Sequence, residues 1–159
     1  IILMKIAFFK TASIIFNTFN GNLFDLQNLH YKLHNDLNED ITIQKYYPTI
    51  KTEYRVKTSN RILNKIVNKK SMPRDRLGMR IIYDTTYNDN EFLAYYIMNN
   101  IERNFDYSFH KKDYITNPKP NNYQSLHINV YYEDKYYEIQ IRNKNMDNVA
   151  KYGSAANYK

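Results

Sequence analysis

Glu138, Gln140 and Arg142 alternate with Tyr137, Ile139 and Ile141 near the C-terminal end of the chain. A strand with that alternation projects the three polar groups from one face and the three apolar ones from the other. Upstream, Ser125, His127 and Asn129 alternate with Leu126, Ile128 and Val130, with Tyr131 and Tyr132 continuing the two sets. Glu133-Asp134-Lys135 reads as the turn, so the two stretches form a hairpin whose polar face carries His127, Asn129, Glu138, Gln140 and Arg142. Arg55, Lys57, Arg61 and Lys65 gather where a strand runs into a helix start, a placement that suits polyphosphate. Asp75 stands just before a strand that carries Arg80. Asp75 and Glu138 would make a Mg²⁺ pair, because Mg²⁺ takes one or two carboxylates together with substrate phosphates. Two carboxylates beside several cations point to phosphoryl-type transfer on a nucleotide. Spacing alone leaves two plainer readings open: a solvated sheet face and ordinary surface ion pairs.

The elements that must position these groups follow from periodicity. Leu23, Leu26, Leu29, Leu33 and Leu37 lay one stripe along a helix over 23–39, and His30 and His34 flank it on what reads as a solvated face. Residues 41–57 read as extended, with Pro48 near the strand's edge or start. Thr58 or Ser59 caps a helix carrying Ile62, Leu63, Ile66 and Val67 inward, ending before Pro73. Gly78 to Asp84 reads as a strand. Asn88-Asp89-Asn90 opens a helix through Arg103 with Phe92, Leu93, Tyr96, Ile97 and Ile101 buried. Residues 115–122 are loop by their Asn and Pro content. The hairpin and a helix from Asn145 onward complete the chain. The expected class is α+β, with a mixed, partly antiparallel sheet flanked by helices.

Composition bounds the partners. The chain has 159 residues and no cysteine, which excludes disulfide scaffolds, thiol nucleophiles and iron–sulfur clusters. A formal charge of +7 favours a polyanionic partner. Lys5, Lys10 and Asn17 interrupt the apolar N-terminal stretch, so no membrane span or leader is expected there and the expected location is cytoplasmic. Tyr accounts for 17 residues, an excess that AT-rich codons explain as readily as function does.

Four segments in order resemble the RelA/SpoT-type (p)ppGpp synthetase domain, the fold of long alarmone enzymes and small alarmone synthetases. They are the stretch from Tyr54 to Lys65, Asp75-Arg-Leu-Gly-Met-Arg-Ile-Ile, the run from Lys112 to the Tyr-Gln-Ser-Leu-His that ends at His127, and Glu138-Ile-Gln-Ile-Arg. The segment from Ala150 to Lys159 adds to them. The resemblance implies a nucleotidyltransferase-like synthetase domain over 46–159, with truncation at its C-terminal end left open, behind an N-terminal helical segment over 1–45. The first 45 residues show no His-Asp hydrolase pattern, so a synthetase-only protein is implied. The implied reaction moves the pyrophosphate of ATP to the 3′-hydroxyl of GDP or GTP with Mg²⁺ as cofactor. Carried over by motif position, Asp75 and Glu138 are catalytic and metal-binding. Arg55, Lys57, Arg61, Lys65 and Arg80 would contact ATP. Lys119, Asn121, Tyr123, Gln124, His127, Gln140 and Arg142 would hold the acceptor, with Tyr123 stacked on guanine.

Four positions depart from the family pattern. Arg61 stands in a Ser slot, Asn122 for Gly, Lys151 for Glu and Asn157 for His. Asn tolerates positive φ, so the loop at Asn122 is expected to keep its shape. The departures keep two other outcomes open: a toxin-type relative acting on tRNA 3′ ends or making adenosine alarmones, and an inactive nucleotide- or RNA-binding domain. A homo-oligomer is compatible with the sequence.

Overall fold

A computed structural model describes residues 22–56, 77–84 and 92–156. The first helix, α1, covers residues 22–39 and turns Leu26, Leu29, Leu33 and Leu37 into the core. Leu23, expected in the same stripe, is 38% exposed instead. His30 and His34 are not a solvated face. Both are half-buried against the Thr52 hydroxyl, at 2.9 Å from His30 Nδ1 and 3.2 Å from His34 Nε2, and His34 Nδ1 also meets the Tyr47 hydroxyl.

The segment after α1 is mostly not extended, contrary to its reading from sequence. Asp40 caps a short helix, α2 (Ile41–Gln44), by accepting from the N–H groups of Thr42 and Ile43. A 3₁₀ turn (Tyr47–Thr49) follows, with Pro48 in its first turn, where a fixed φ helps and a missing N–H costs nothing. Strand β1 is confined to Lys51–Val56.

Strand β2 (Leu77–Tyr83) is buried along nearly its whole length, as a central strand should be. Helix α3 (Leu93–Asn104) buries Leu93, Ala94, Ile97, Met98 and Ile101. Phe92 and Tyr96, expected inward, are 63% and 45% exposed, because the helix begins at Leu93 and Ala94 and Met98 complete the inward stripe. The expected caps of this helix and of the one after Thr58 lie outside the described residues.

Strand β3 (Tyr107–Asp113) has no counterpart in the sequence reading. It is a mostly exposed edge strand with a register shift between Phe109 and Lys112, where His110 adopts φ 51°, so it lacks the alternation that marks a half-buried strand. Strands β4 (Leu126–Tyr132) and β5 (Lys135–Asn143) form the expected hairpin. Its turn is two residues, Glu133 and Asp134, at φ 45° and 61°, and Lys135 already pairs with Tyr132. Helix α4 (Lys144–Tyr152) opens on Asn143, whose side chain accepts from the Met146 N–H at 2.8 Å.

The five strands form one mixed sheet in the order β1-β2-β5-β4-β3, with β2 and β5 parallel and every other neighbouring pair antiparallel. Met79, Ile81, Leu126, Ile128, Val130, Tyr137, Ile139 and Ile141 share one core with α1 and α3. Two contacts tie α1 to the hairpin: Asn28 donates to Glu133 at 3.1 Å and Lys135 pairs with Asp25. Asn100 donates to the Asp36 carbonyl and to Asp40, and Arg103 joins it on Asp40, so α3 is fastened to the α1–α2 junction. With α1 and α3 filling one side, the polar residues of the strands are gathered on the other.

Candidate functional site

Strand pairing arranges that polar side in rows. One row runs Arg55, Gly78, Glu138, Asn129 and Phe109 across β1, β2, β5, β4 and β3. The next runs Glu53, Arg80, Gln140, His127 and Lys112. Directly paired residues point to the same face, so the register alone brings residues from five strands together. Gly78 lets the rows close up. A Cβ placed there would lie 2.2 Å from the Glu138 carbonyl oxygen.

Glu138 is the hub. Its carboxylate pairs with Arg55, accepts from Gln140 Nε2 at 2.9 Å, and stands 3.7 Å from His127 Nδ1. His127 is buried, and its Nε2 meets the Tyr123 hydroxyl at 2.8 Å. Burial pushes the imidazole pKa down to about 4; Glu138 opposes this, while Arg55, Lys119 and Lys112 add to it. The ring is therefore neutral near pH 7. Nε2 and the Tyr123 hydroxyl share one hydrogen bond, and Nδ1 faces Glu138 beyond hydrogen-bond distance.

Tyr123 lies in the loop before β4. Asn122 takes φ 61°, as expected of Asn in a Gly slot, and its N–H donates to the Lys119 carbonyl while the Lys119 N–H donates to Tyr123. This folds Lys119 back over the rings, with Nζ 4.6 Å from the Tyr114 centroid and 5.3 Å from that of Tyr123. The Arg142 guanidinium lies 5.9 Å from the Tyr123 centroid. An aromatic ring with two cations beside it, next to a carboxylate, suits a planar base attached to a phosphate chain.

A chain of alternating charges borders these groups. Arg80 pairs with Glu53 at 2.7 Å, Glu53 with Lys151 at 2.7 Å, Lys151 with Asp147 at 2.9 Å, and Asp147 with Arg142, whose Nε donates at 2.9 Å. Helix α4 is thereby held against β1, β2 and β5. Burial disfavours charge on Asp147, but the Lys151 hydrogen bond and the Arg142 guanidinium outweigh it and hold the carboxyl below its ordinary range.

The structure thus brings Arg55, Tyr123, His127, Lys119, Glu138, Gln140 and Arg142 together. Three other expected residues have partners within the protein. Gln124 donates to the Ile115 carbonyl at 3.2 Å, Asn121 accepts from the Tyr123 N–H at 3.3 Å, and Arg80 turns to Glu53. Asp75, Lys57, Arg61, Lys65 and Asn157 lie outside the described residues. Glu53 and Asp147 were not singled out in the sequence. Glu53 sits two residues before Arg55 and so shares its face, a signal that was legible; Asp147 needed the docking of α4. Lys151, noted only as a departure, is the link between the two.

Among the described residues, no group of three or more His, Cys, Asp or Glu side chains converges as a metal cage. No helix among them is long and apolar enough to cross a membrane.

The profile of the region found in RelA/SpoT proteins matches residues 54–159. The chain belongs to the RelA/SpoT family. The match takes in the last three residues of β1, strands β2 to β5 and α4. The small alarmone synthetase 2 of Bacillus subtilis is 30% identical and superposes with a TM-score of 0.61 over 89% of this chain and 79% of that one. The α+β architecture with its five-stranded mixed sheet is that of the alarmone synthetases. An Arabidopsis thaliana chloroplast protein named a probable GTP diphosphokinase is 31% identical over 139 residues, 79% of this chain and 24% of that protein. A Mycoplasma pneumoniae protein named a probable guanosine-3′,5′-bis(diphosphate) 3′-pyrophosphohydrolase is 44% identical over 69 residues, 43% of this chain and 9% of that one. The chain thus spans a quarter or less of the length of these two relatives.

Proposed function

We propose that the chain is a (p)ppGpp synthetase, with a catalytic domain over residues 46–159, transferring the pyrophosphate of ATP to the 3′-hydroxyl of GDP or GTP. The observation that carries this reading is the position of Glu138. It stands at the centre of the polar sheet face, between Arg55 and His127, and His127 in turn meets the hydroxyl of Tyr123, whose ring Lys119 and Arg142 flank.

In the proposed reaction the acceptor's 3′-oxygen bonds to the β-phosphorus of ATP. The bond from that phosphorus to the oxygen bridging to the α-phosphate breaks, AMP departs, and the hydroxyl proton passes to Glu138. Such a transfer needs alignment and charge neutralisation more than covalent help. Arg55 covers Glu138. Phosphates arriving beside it would draw the guanidinium away and expose the carboxylate as base. Neutral His127, held by Tyr123, would keep that carboxylate oriented. Tyr123 would stack on guanine, with Lys119 and Arg142 reaching the acceptor's phosphates. Gln140 would fix the second side of Glu138.

The donor set fits Mg²⁺. Glu138 is a hard oxygen donor beside cations that attract phosphate, and Mg²⁺ is commonly held by one or two carboxylates with substrate oxygens completing its shell. Glu138, with Asp75 as the proposed second carboxylate, would hold the ion. Bound there, Mg²⁺ would neutralise charge on the transferred phosphates.

Incubation with γ-labelled ATP, Mg²⁺ and separate GDP, GTP, adenosine nucleotide and deacylated tRNA acceptors tests the reading. Label on GDP or GTP, with AMP released in equal amount, is expected. Label confined to tRNA or adenosine nucleotides, or absent from every acceptor, would contradict it.

A further inference from the structure

Helix α1 and strand β1 meet at a cluster that the proposed transfer does not use. His30 and His34 sit one turn apart on α1, with ring centroids 4.1 Å apart. His30 Nδ1 lies 2.9 Å and His34 Nε2 3.2 Å from the same atom, the Thr52 hydroxyl oxygen. On its other side, His34 Nδ1 meets the Tyr47 hydroxyl. The Tyr54 ring stands edge-on to His30 at 5.8 Å and the Tyr47 ring edge-on to His34 at 5.5 Å. Thr52 and Tyr54 alternate with Glu53 and Arg55 along β1, so the cluster lies on the face of β1 opposite the candidate site.

Burial lowers the pKa of both imidazoles, and the neighbouring His30 adds to this at His34. Both rings are therefore neutral near pH 7, the form that ligates metal. A neutral ring has one protonated and one bare nitrogen. In the tautomers with the His34 proton on Nδ1, toward Tyr47, and the His30 proton on Nε2, both bare nitrogens converge on Thr52. The single hydroxyl proton of Thr52 serves only one of them, whereas a cation beside the hydroxyl oxygen serves both. Two imidazoles at i, i+4 on one helix face have the spacing of paired zinc ligands. Tyr47 supplies the outer hydrogen bond that fixes the direction of a ligating ring. Among the described residues no third imidazole or carboxylate joins the pair. The Thr52 oxygen and water would complete a tetrahedral shell, and the half-buried rings leave room for that water. Nitrogen donors suit zinc-class ions and not Mg²⁺, which takes oxygen. We propose that His30 and His34, with the Thr52 hydroxyl, bind a divalent transition ion of the zinc class and thereby clamp α1 to the strand that carries Arg55.

Calorimetric titration of the chain at pH 7 with Zn²⁺ alone and with Mg²⁺ alone tests this. The wild type is expected to bind one more Zn²⁺ than His30→Ala/His34→Ala, and to gain thermal stability from it. Mg²⁺ should do neither. In protein labelled with ¹⁵N-histidine, Zn²⁺ should shift His30 Nδ1 and His34 Nε2 and leave the proton on His34 Nδ1. Tyr47→Phe keeps both ligands and loses the outer hydrogen bond, so it should weaken Zn²⁺ binding by about tenfold, the low end for losing such a partner. His110→Gln, on β3, should bind as the wild type does. Circular dichroism checks that each variant is folded, and if the double variant is not, the nitrogen shifts in the wild type decide alone. Absent Zn²⁺ binding, full binding in a folded double variant, nitrogen shifts confined to His110 or His127, full affinity in Tyr47→Phe, or displacement of Zn²⁺ by an equal concentration of Mg²⁺ would overturn the proposal.

Discussion

Removing the Asp147 carboxylate should strand a buried guanidinium. Arg142 is 2% exposed and Asp147 7%, and the two are joined through Arg142 Nε at 2.9 Å and again through its terminal nitrogen. Burial and then the nearby Arg80 work against the Arg142 charge, and Asp147 opposes both. In Asp147→Ala the guanidinium keeps the Tyr123 ring 5.9 Å away but loses this carboxylate. Breaking a buried pair from one side typically costs about 3–5 kcal/mol. The lower end, about 3 kcal/mol, applies here, because Arg142 retains the ring and the lost carboxylate no longer has to be desolvated. For a chain of this size that is a fall in Tm of roughly 6–12 °C. Urea unfolding followed by circular dichroism at pH 7 measures it, with an unchanged m-value showing that the unfolded reference is the same. Because the folded Asp147 pKa is depressed, its contribution is complete above the unfolded carboxylate value of about 3.9 and is lost as pH falls through the folded value. The gap between wild type and Asp147→Ala should therefore narrow in acid. Arg142→Met combined with Asp147→Leu should recover much of the loss, since apolar replacement of both partners is often neutral. A loss below about 1 kcal/mol in Asp147→Ala would refute the view that this pair is a coupled buried unit.

Two further perturbations follow from the same geometry. The His127 pKa is lowered to about 4, so its neutral form contributes stability that is complete above the unfolded value near 6.5 and is lost as pH falls toward 4. His127→Gln should flatten that part of the pH–stability curve by about 2–4 kcal/mol, and an unchanged slope would contradict the assignment. His30 and His34 are also lowered by burial and act in the same direction, so the comparison with His127→Gln is needed to isolate the site histidine. Gly78→Ala would drive a methyl to within 2.2 Å of the Glu138 carbonyl and should destabilise by at least about 2 kcal/mol while slowing transfer. Equilibrium unfolding and the ATP-to-GDP assay check both effects, and a neutral Gly78→Ala would show that the strands part there without cost.

The hairpin was readable because its period-two alternation is uninterrupted, and that one feature already put His127, Glu138, Gln140 and Arg142 on a common face. Strand β3 was not readable, since its exposed Tyr107-Ser108-Phe109-His110-Lys111-Lys112 run is broken by a bulge and offers no buried side to alternate. His30 and His34 looked like surface groups because their partners, Thr52 and Tyr47, come from segments that only the fold brings near. Gln124 and Asn121 stand in the loop that presents Tyr123, and each makes a hydrogen bond within it that depends on the loop's fold and not on local sequence. The Lys151 departure had no local explanation either. In the folded chain it neutralises Glu53 and Asp147 together, a role set by the packing of α4 rather than by its neighbours in sequence.

The most direct measurement of the central claim compares wild type with Glu138→Gln for transfer of label from γ-labelled ATP to GDP with Mg²⁺ present. Gln keeps the size of the side chain and loses both its charge and its basicity. The wild type should make ppGpp, Glu138→Gln should lose at least about 100-fold as expected when a general base is removed, and both should unfold cooperatively. A Glu138→Gln protein that makes ppGpp at the wild-type rate would contradict it.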